Sequence, residues 1–530
     1  MKKKLLYILT PILAFWSTSC NDFLDEVPDD RVDLDSEIKM NQLLLGSYPS
    51  NSPVVMAEYL SDNVDHKTGV VLTSHYRNQD EAYAWADIQD ETGNDSPKDF
   101  WGAAYTSIAA ANQVLKSIEE QGNDPKFNPL KAEALMMRAY NHFLLVNFYG
   151  WHYNDETSET DLGIVYMEAP EADLNPHYER ESVAEVYRKI DRDIREALPL
   201  IDDDIYRYPK YRFNRQASLA FAARFNLFYG KYDEVIEYAD ELFGADPRPL
   251  MRDKYYFKSL TRDVGIFAEH FTSLDVNANF LVLTPISHAR IYFANYTTGK
   301  LYQHTYFIGN NETLRSNGPW GTYSSSVPYT FNIHSSGYSS SNYMITPVIY
   351  GAFRTTNPIA QTGYQYSTIL AFWAEETLLC RAEAYIVKGE YDKATEDLAL
   401  WMKYQIDPSI GITLTRDLIN DYYGNLPYFE PHAPTPKKRI NPLNFTIASE
   451  EQENFLHCLL HFRRIETMSL GLRWYDVKRF GIEIHRRDIL RDGGGDTFQR
   501  VTDVLTVDDP RRVLQIPPDV ISAGMTPTPR

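Results

Sequence analysis

Two stretches of this chain are copies of one another. "LAFAARFNLFYGKYDEVIEYADELF" begins at Leu219 and "LLCRAEAYIVKGEYDKATEDLALWM" at Leu378, and they align without a gap. Ala223 falls on Ala382, and Gly230-Lys231-Tyr232-Asp233 falls on Gly389-Glu390-Tyr391-Asp392. Each copy reads as a helix rich in small residues, a Gly-x-Tyr turn and a second amphipathic helix. Small residues let two helices approach, glycine ends the first, and tyrosine is expected to pack back into the pair. This is the helix–turn–helix pattern of tetratricopeptide repeats. One such unit cannot bury its own apolar face, so units must stack. The expected fold is therefore mainly α, a tetratricopeptide-like scaffold of helical hairpins.

Other segments agree. From Lys131 to Gly150 the apolar residues Ala132, Leu135, Met136, Ala139, Tyr140, Phe143, Leu144 and Phe148 follow a helical period, with Gly150 as the stop. Ser182 and Glu185 form a capping box ahead of a stripe through Val186, Ile190 and Ile194, ended by Pro199. From Glu451 to Gly481 a further helical block carries Phe455, Leu459, Phe462, Ile465 and Met468 on one stripe. Between Asn277 and Thr368 the helical period disappears, and Tyr, Ser, Thr, Asn and Gly dominate. That region predicts long loops carrying a loop-rich face and a few short β-strands, with "NFLVLT" and "RIYFANY" as β-propense runs. The end of the chain, from Asp492 to Gly524, reads as loops and short extended pieces.

The N-terminus has its own grammar. Lys2, Lys3 and Lys4 precede an apolar run from Leu5 to Trp16, then Ser17, Thr18, Ser19 and Cys20. The run is too short to span a bilayer and has the form of an export signal. Small residues directly before a cysteine resemble a bacterial lipoprotein signal, in which that cysteine is acylated and becomes the mature N-terminus. Cys20 is the expected lipidation site, although Ser17 stands where the usual lipobox has leucine. The expected organisation is a signal over 1–19, an acidic tether over 20–36, a helical region over 37–270, a loop-rich aromatic region over 271–370 and a C-terminal region over 371–530.

Composition narrows the partners. The 530 residues carry a formal net charge of −21. A surface for phosphate backbones needs a basic footprint, so no nucleic-acid partner is expected. Cys380 and Cys458 sit inside apolar helical patterns and read as core residues, with a disulfide between them left open. Glu453, His457 and His461 share a helical face but lack the H-E-x-x-H pattern of a zinc protease, and a metal there is not favoured. "LSDNVDH" and "DGGGDTF" offer tight turns or oxygen ligands for a structural Ca²⁺, without EF-hand spacing. No other cofactor is expected.

Several motifs in order resemble the SusD/RagB family of Bacteroidetes outer-membrane lipoproteins. They are "SCNDFLDEVPDD", "KAEALMMRAYNHFLLVNFYG", "AEETLLCRAEAYIVKGEYDKA" and "FRRIETMSLGLRWYDVKRFG", with "QIPPDVISAG" closing the chain. Leu470 departs from the family's frequent glutamate before Gly471, which puts one buried ion pair in doubt. The resemblance implies a non-enzymatic, surface-facing lipoprotein of the outer membrane. It implies a SusC-like TonB-dependent transporter as partner, to which a captured nutrient passes. The nutrient is most often an oligosaccharide, and peptide-capturing members exist. Two alternatives stay open on the residues alone: a secreted α-helical glycoside hydrolase, and a repeat-type adaptor for proteins.

A glycan site wants aromatic faces for the apolar side of sugar rings and polar groups at the rim for hydroxyls. Two segments qualify, and the resemblance implies that both face the ligand. The first offers Tyr76, Arg77, Asn78 and Trp85; the second offers Trp320, Tyr323 and Tyr343. The charged run Arg463, Arg464, Glu466, Arg473, Asp476 and Arg479 reads as scaffold packing, with Glu466 and Arg473 on one face of a single helix and Arg473 beside Asp476.

Overall fold

The computed structural model describes residues 34–69, 76–89, 93–171, 177–253, 264–293, 301–322, 348–406, 408–492 and 495–530. Its frame is a series of packed helix pairs. Pro97–Glu120 packs on Asn128–Tyr149, which packs in turn on Val183–Ala197. The two repeat copies form the hairpins Arg215–Phe228 with Tyr232–Phe243, and Ala374–Val387 with Tyr391–Gln405. Both turn through a left-handed glycine, Gly230 at φ 75° and Gly389 at φ 74°. In both, the residue after glycine donates its N–H back into the first helix: Lys231 to the Asn226 carbonyl at 2.9 Å, Glu390 to the Tyr385 carbonyl at 2.8 Å. That is a Schellman ending, and only glycine takes the conformation without strain.

The copies also stack on one another. Arg224 of the first clamps Glu376 of the second through two hydrogen bonds of 3.1 and 3.0 Å. Arg381 of the second bonds Asp397 in its own hairpin and Asp240 in the first. Tyr232 and Tyr391 also reach beyond their own hairpins, to Phe445 and Phe455 with ring centroids 6.2 and 5.0 Å apart.

Caps follow the sequence closely. The Glu185 N–H donates to Ser182 Oγ at 3.2 Å, and Val183–Ala197 ends before Pro199. Gly150 does end its helix, but at φ −131° it needs no left-handed freedom. Its role is spatial, since a Cβ there would lie 2.9 Å from the Val146 carbonyl oxygen.

Seven strands complete the described fold: β1 Asp65–Thr68, β2 Asn279–Leu283, β3 Tyr302–Gln303, β4 Tyr350–Asn357, β5 Thr362–Trp373, β6 Ile484–Asp492 and β7 Gly495–Leu505. They form one sheet in the order β3-β1-β6-β7 and another in the order β2-β5-β4. Two expectations are corrected here. "RIYFANY" does not begin as a strand: Ala289–Phe293 is a short helix, started by Asp95 accepting from the His288 N–H and Ser287 Oγ accepting from the Ala289 N–H. The C-terminal "short pieces" include a long antiparallel hairpin, β6 of 9 and β7 of 11 residues.

The C-terminal helical block is also interrupted. Glu450–Glu466 ends, Ser469 and Gly471 take positive φ, and Leu472–Arg479 starts in a new direction. Glu466 and Arg473 therefore do not share a helix face. Glu466 accepts from Trp373, Trp401 and Gln405, whereas Arg473 grips Asp62 at 2.7 and 3.0 Å. Asp476 hydrogen-bonds Arg463 and Arg479 and acts on Arg473 through its charge. All six charged residues of this run are buried in the scaffold. Leu470 is buried as an apolar core residue. Cys380 and Cys458 are both free and buried. The buried apolar residues form one continuous cluster from Leu34 to Ile516, so the N-terminal, loop-rich and C-terminal regions share a core.

Candidate functional site

The segment Tyr59–His66 and the helix Arg77–Tyr83 are held by arginines from β6. Arg486 donates to the carbonyls of Tyr59, Ser61 and Tyr83 at 2.6–2.7 Å. Its guanidinium lies 4.1 Å from the Tyr83 ring centre and 3.9 Å from that of Trp85. Trp85 itself takes φ 51° and donates Nε1–H to the Leu60 carbonyl at 2.8 Å.

Beneath lies a buried charge cluster. Asp62 meets Arg473 and Lys438, each at 2.7 Å. Asp65 meets Arg487 at 2.7 and 3.0 Å and accepts from Thr305. Glu312 accepts from Arg464 and Arg487, both at 2.8 Å, with Lys438 at 3.1 Å. Burial pushes the Asp62 carboxyl up, but Arg464, Arg473 and Lys438 outweigh it and hold the group well below the usual range. The carboxylates of "LSDNVDH" are thus spent on cations of the scaffold.

On this base sits a graded aromatic surface. Tyr83 stacks on Tyr302 with centroids 4.2 Å apart, and His66 lies 5.6 Å from Tyr302. Tyr59 lies edge-on to Tyr302 at 6.1 Å. Tyr76 meets Tyr292 edge-to-face at 6.1 Å. Tyr83 and Tyr59 are buried, Tyr302, His66 and Tyr292 half-buried, and Tyr76 is 40% exposed. A cleft opens beside the outermost pair, lined by Tyr76, Asn78, Asp95 and Tyr292 over an apolar floor of Val55 and Met56. Burial, with Asp95 beside Tyr292 and Asp80 beside Tyr302, holds both phenols above their ordinary value. They stay neutral, and the Tyr302 hydroxyl donates to Asp80. Asp95 is positioned by Ser287 Oγ–H at 2.5 Å and by the His288 N–H at 2.9 Å. Chemically, the cleft offers ring faces and an amide, with the Asp95 carboxylate held beneath them by Ser287 and His288.

The residues expected from sequence divide three ways. Tyr76 and Asn78 come together in the cleft, and Arg77 stands exposed beside them, paired with Glu81 at 2.7 Å. Trp85 and Trp320, at 1% and 2% exposure, are corrected to scaffold residues. Trp320 stacks against Phe462 at 5.7 Å and His461 at 5.3 Å, so its area is used in the core despite its flanking Gly and Pro. Tyr323, Tyr343 and the lipidation site Cys20 lie outside the described residues. His461 shares one ring nitrogen with Tyr423 at 2.9 Å and the other with Ser316 at 2.7 Å, so this ring faces hydroxyls. Sequence reading passed over Tyr292 and Asp95. Only the general tyrosine excess hinted at the first, and nothing local marked the second.

Residues 22–227 match a SusD-like family model described as "Starch-binding associating with outer membrane". No curated protein matches the sequence. Solved structures share the fold across nearly the whole chain. One, from Bacteroides vulgatus, has 17% identity and TM-score 0.67, covering 94% of this chain and 99% of its own. A SusD superfamily protein from Bacteroides thetaiotaomicron has 16% identity and TM-score 0.61, covering 93% and 99%. A SusD-like carbohydrate binding protein from Bacteroides vulgatus has 15% identity and TM-score 0.59, covering 91% and 95%.

Proposed function

From a chain that is SusD-like, with the family's sequence over residues 22–227 and the superfamily's fold along its length, we propose a glycan-binding protein of the outer membrane. It captures an oligosaccharide at the cell surface without turning it over and passes it to a SusC-like TonB-dependent transporter. The observation that carries the binding reading is the cleft at Tyr76 and Tyr292. It presents aromatic rings beside Asn78 and Asp95, which is the composition a neutral sugar requires. The family description supports the location. No helix among the described residues is long and apolar enough to cross a membrane, and the reading assigns attachment to an acylated Cys20.

Calorimetry against neutral oligosaccharides tests the cleft. Tyr76→Ala combined with Tyr292→Ala should weaken the bound glycan at least about tenfold, the scale of losing aromatic stacking. Unchanged affinity would move the site elsewhere, and binding to peptides alone would replace the ligand class. Export and partnership need a separate experiment. Purification from native membranes through a C-terminal tag should bring a large β-barrel protein with the wild type, while Cys20→Ala leaves the membrane. A soluble, solitary wild-type protein would remove both the anchor and the transporter from the proposal.

A further inference from the structure

Six of the seven tryptophans in the described residues are buried: Trp85, Trp101, Trp320, Trp373, Trp401 and Trp474. Trp151 is the exception. It is half-buried, and it stands at the head of a loop that follows the Asn128–Tyr149 helix. It lines a groove of about 1400 Å³, open solvent included. Asp155 and Thr157 share its side; Asn441, Asn444 and Asp508 line the rest. The groove has no lining residue in common with the Tyr76–Tyr292 cleft.

Both walls are fixed by hydrogen bonds within the chain. Asn154 Oδ1 accepts from the N–H groups of Glu156 and Thr157, each at 3.0 Å, which shapes the first wall. Lys478 Nζ donates to the Gly150 carbonyl at 2.8 Å and pins the residue before Trp151. The opposite wall is clamped by the Asn441 N–H to the Phe480 carbonyl at 2.7 Å and the Leu443 N–H to the Arg479 carbonyl at 3.1 Å. Asn444 Nδ2 donates to the Phe228 carbonyl at 3.0 Å. A preformed wall loses little ordering entropy when something binds.

We propose that this groove is a second glycan site, in which the Trp151 indole stacks on a sugar ring while the Asn441 side chain meets its hydroxyls. The inference rests on the glycan-binding reading above. A large aromatic left partly exposed at a concave, rigid, polar surface fits an amphipathic ring better than it fits the fold. The groove has no lysine or arginine among its lining residues, while Asp155, Glu156, Asp161 and Asp508 all line it. It therefore takes neutral sugars and disfavours uronate or sulfated ones, which would bring like charge to carboxylates. A long glycan chain engaging both sites would gain by effective concentration.

The test is calorimetry of the full mature protein with maltoheptaose, cellohexaose, xylohexaose, mannohexaose and an oligogalacturonide. The variants are Trp151→Ala, Asn441→Ala and the Tyr76/Tyr292 double change. Expected is a neutral probe that binds at two sites per chain. Trp151→Ala and Asn441→Ala should each remove one site or weaken it about tenfold, and the Tyr76/Tyr292 variant should retain it. If Trp151→Ala and Asn441→Ala leave affinity and stoichiometry untouched while the cleft variant loses binding, the groove inference falls and the glycan reading stands. If the oligogalacturonide binds through Trp151 more tightly than any neutral probe, the ligand class is wrong. If no probe binds the wild type, both readings fall together.

Discussion

Replacing Glu312 by Gln should lower the stability of the folded protein by roughly 3–5 kcal/mol, the cost of breaking a buried ion cluster from one side. Glu312 is fully buried, and it is one of three carboxylates, with Asp62 and Asp65, facing Arg464, Arg473, Arg487 and Lys438. Removing one negative charge leaves the arginines and the lysine in excess where water cannot screen them. Burial raises the Glu312 carboxyl, but Lys438, Arg487 and Arg464 outweigh it and hold the group at about 2. The sign follows directly. A carboxyl lower in the folded than in the unfolded chain stabilises above its ordinary value, and that contribution is lost as pH falls toward 2. Thermal unfolding followed from pH 7 to pH 2 should show the wild type losing about 3 kcal/mol from this group alone. The Gln variant should start lower and show a shallower acid slope. Equal slopes for both proteins would mean that the cluster does not hold Glu312 ionised.

Arg486→Met should cost at least about 3 kcal/mol, since it strands several buried carbonyls at once. The guanidinium serves Tyr59, Leu60, Ser61 and Tyr83 and has ring faces on two sides. Burial lowers it to about 10, so it is charged at neutral pH. Its hydrogen bonds lock the helix that begins just after Tyr76 onto the Tyr59–Ser61 strap. Hydrogen exchange should therefore quicken over residues 59–66 and 77–85, and glycan affinity should fall about tenfold through loss of preorganisation. Arg486→Lys should not restore either property, because an ammonium cannot reach the same set of carbonyls. Full affinity in the Met variant would show that the cleft keeps its shape without this anchor.

The run from Arg463 to Arg479 was legible as scaffold, because arginines and acids beside an apolar helical stripe must pair to be buried. Its partners were not. Asp62 meets Arg473, and Asn63 meets Arg464, across some four hundred residues of chain. The broken helix at Ser469–Gly471 was likewise missed, since Ser469 carries no residue-type mark for positive φ. Trp320, in "NGPWGTY", has the local marks of an exposed loop residue. Phe462 and His461 bury it, and neither is near it in sequence. Tyr292 sits in a run with strand propensity, and a helix forms there because Asp95 and Ser287 cap it.

What the sequence by itself determined is the helical-hairpin frame. Gly230 and Gly389, the small residues before them and the Ser182 cap act through neighbours within a few positions, and such interactions are the same in any context. What only the tertiary structure decided is which aromatics reach a ligand. Tyrosine and tryptophan pack equally well in a core or against a sugar. The choice between Trp320 inside and Tyr76, Tyr292 and Trp151 outside depends on the surfaces that distant segments bring to them, and no local pattern encodes that.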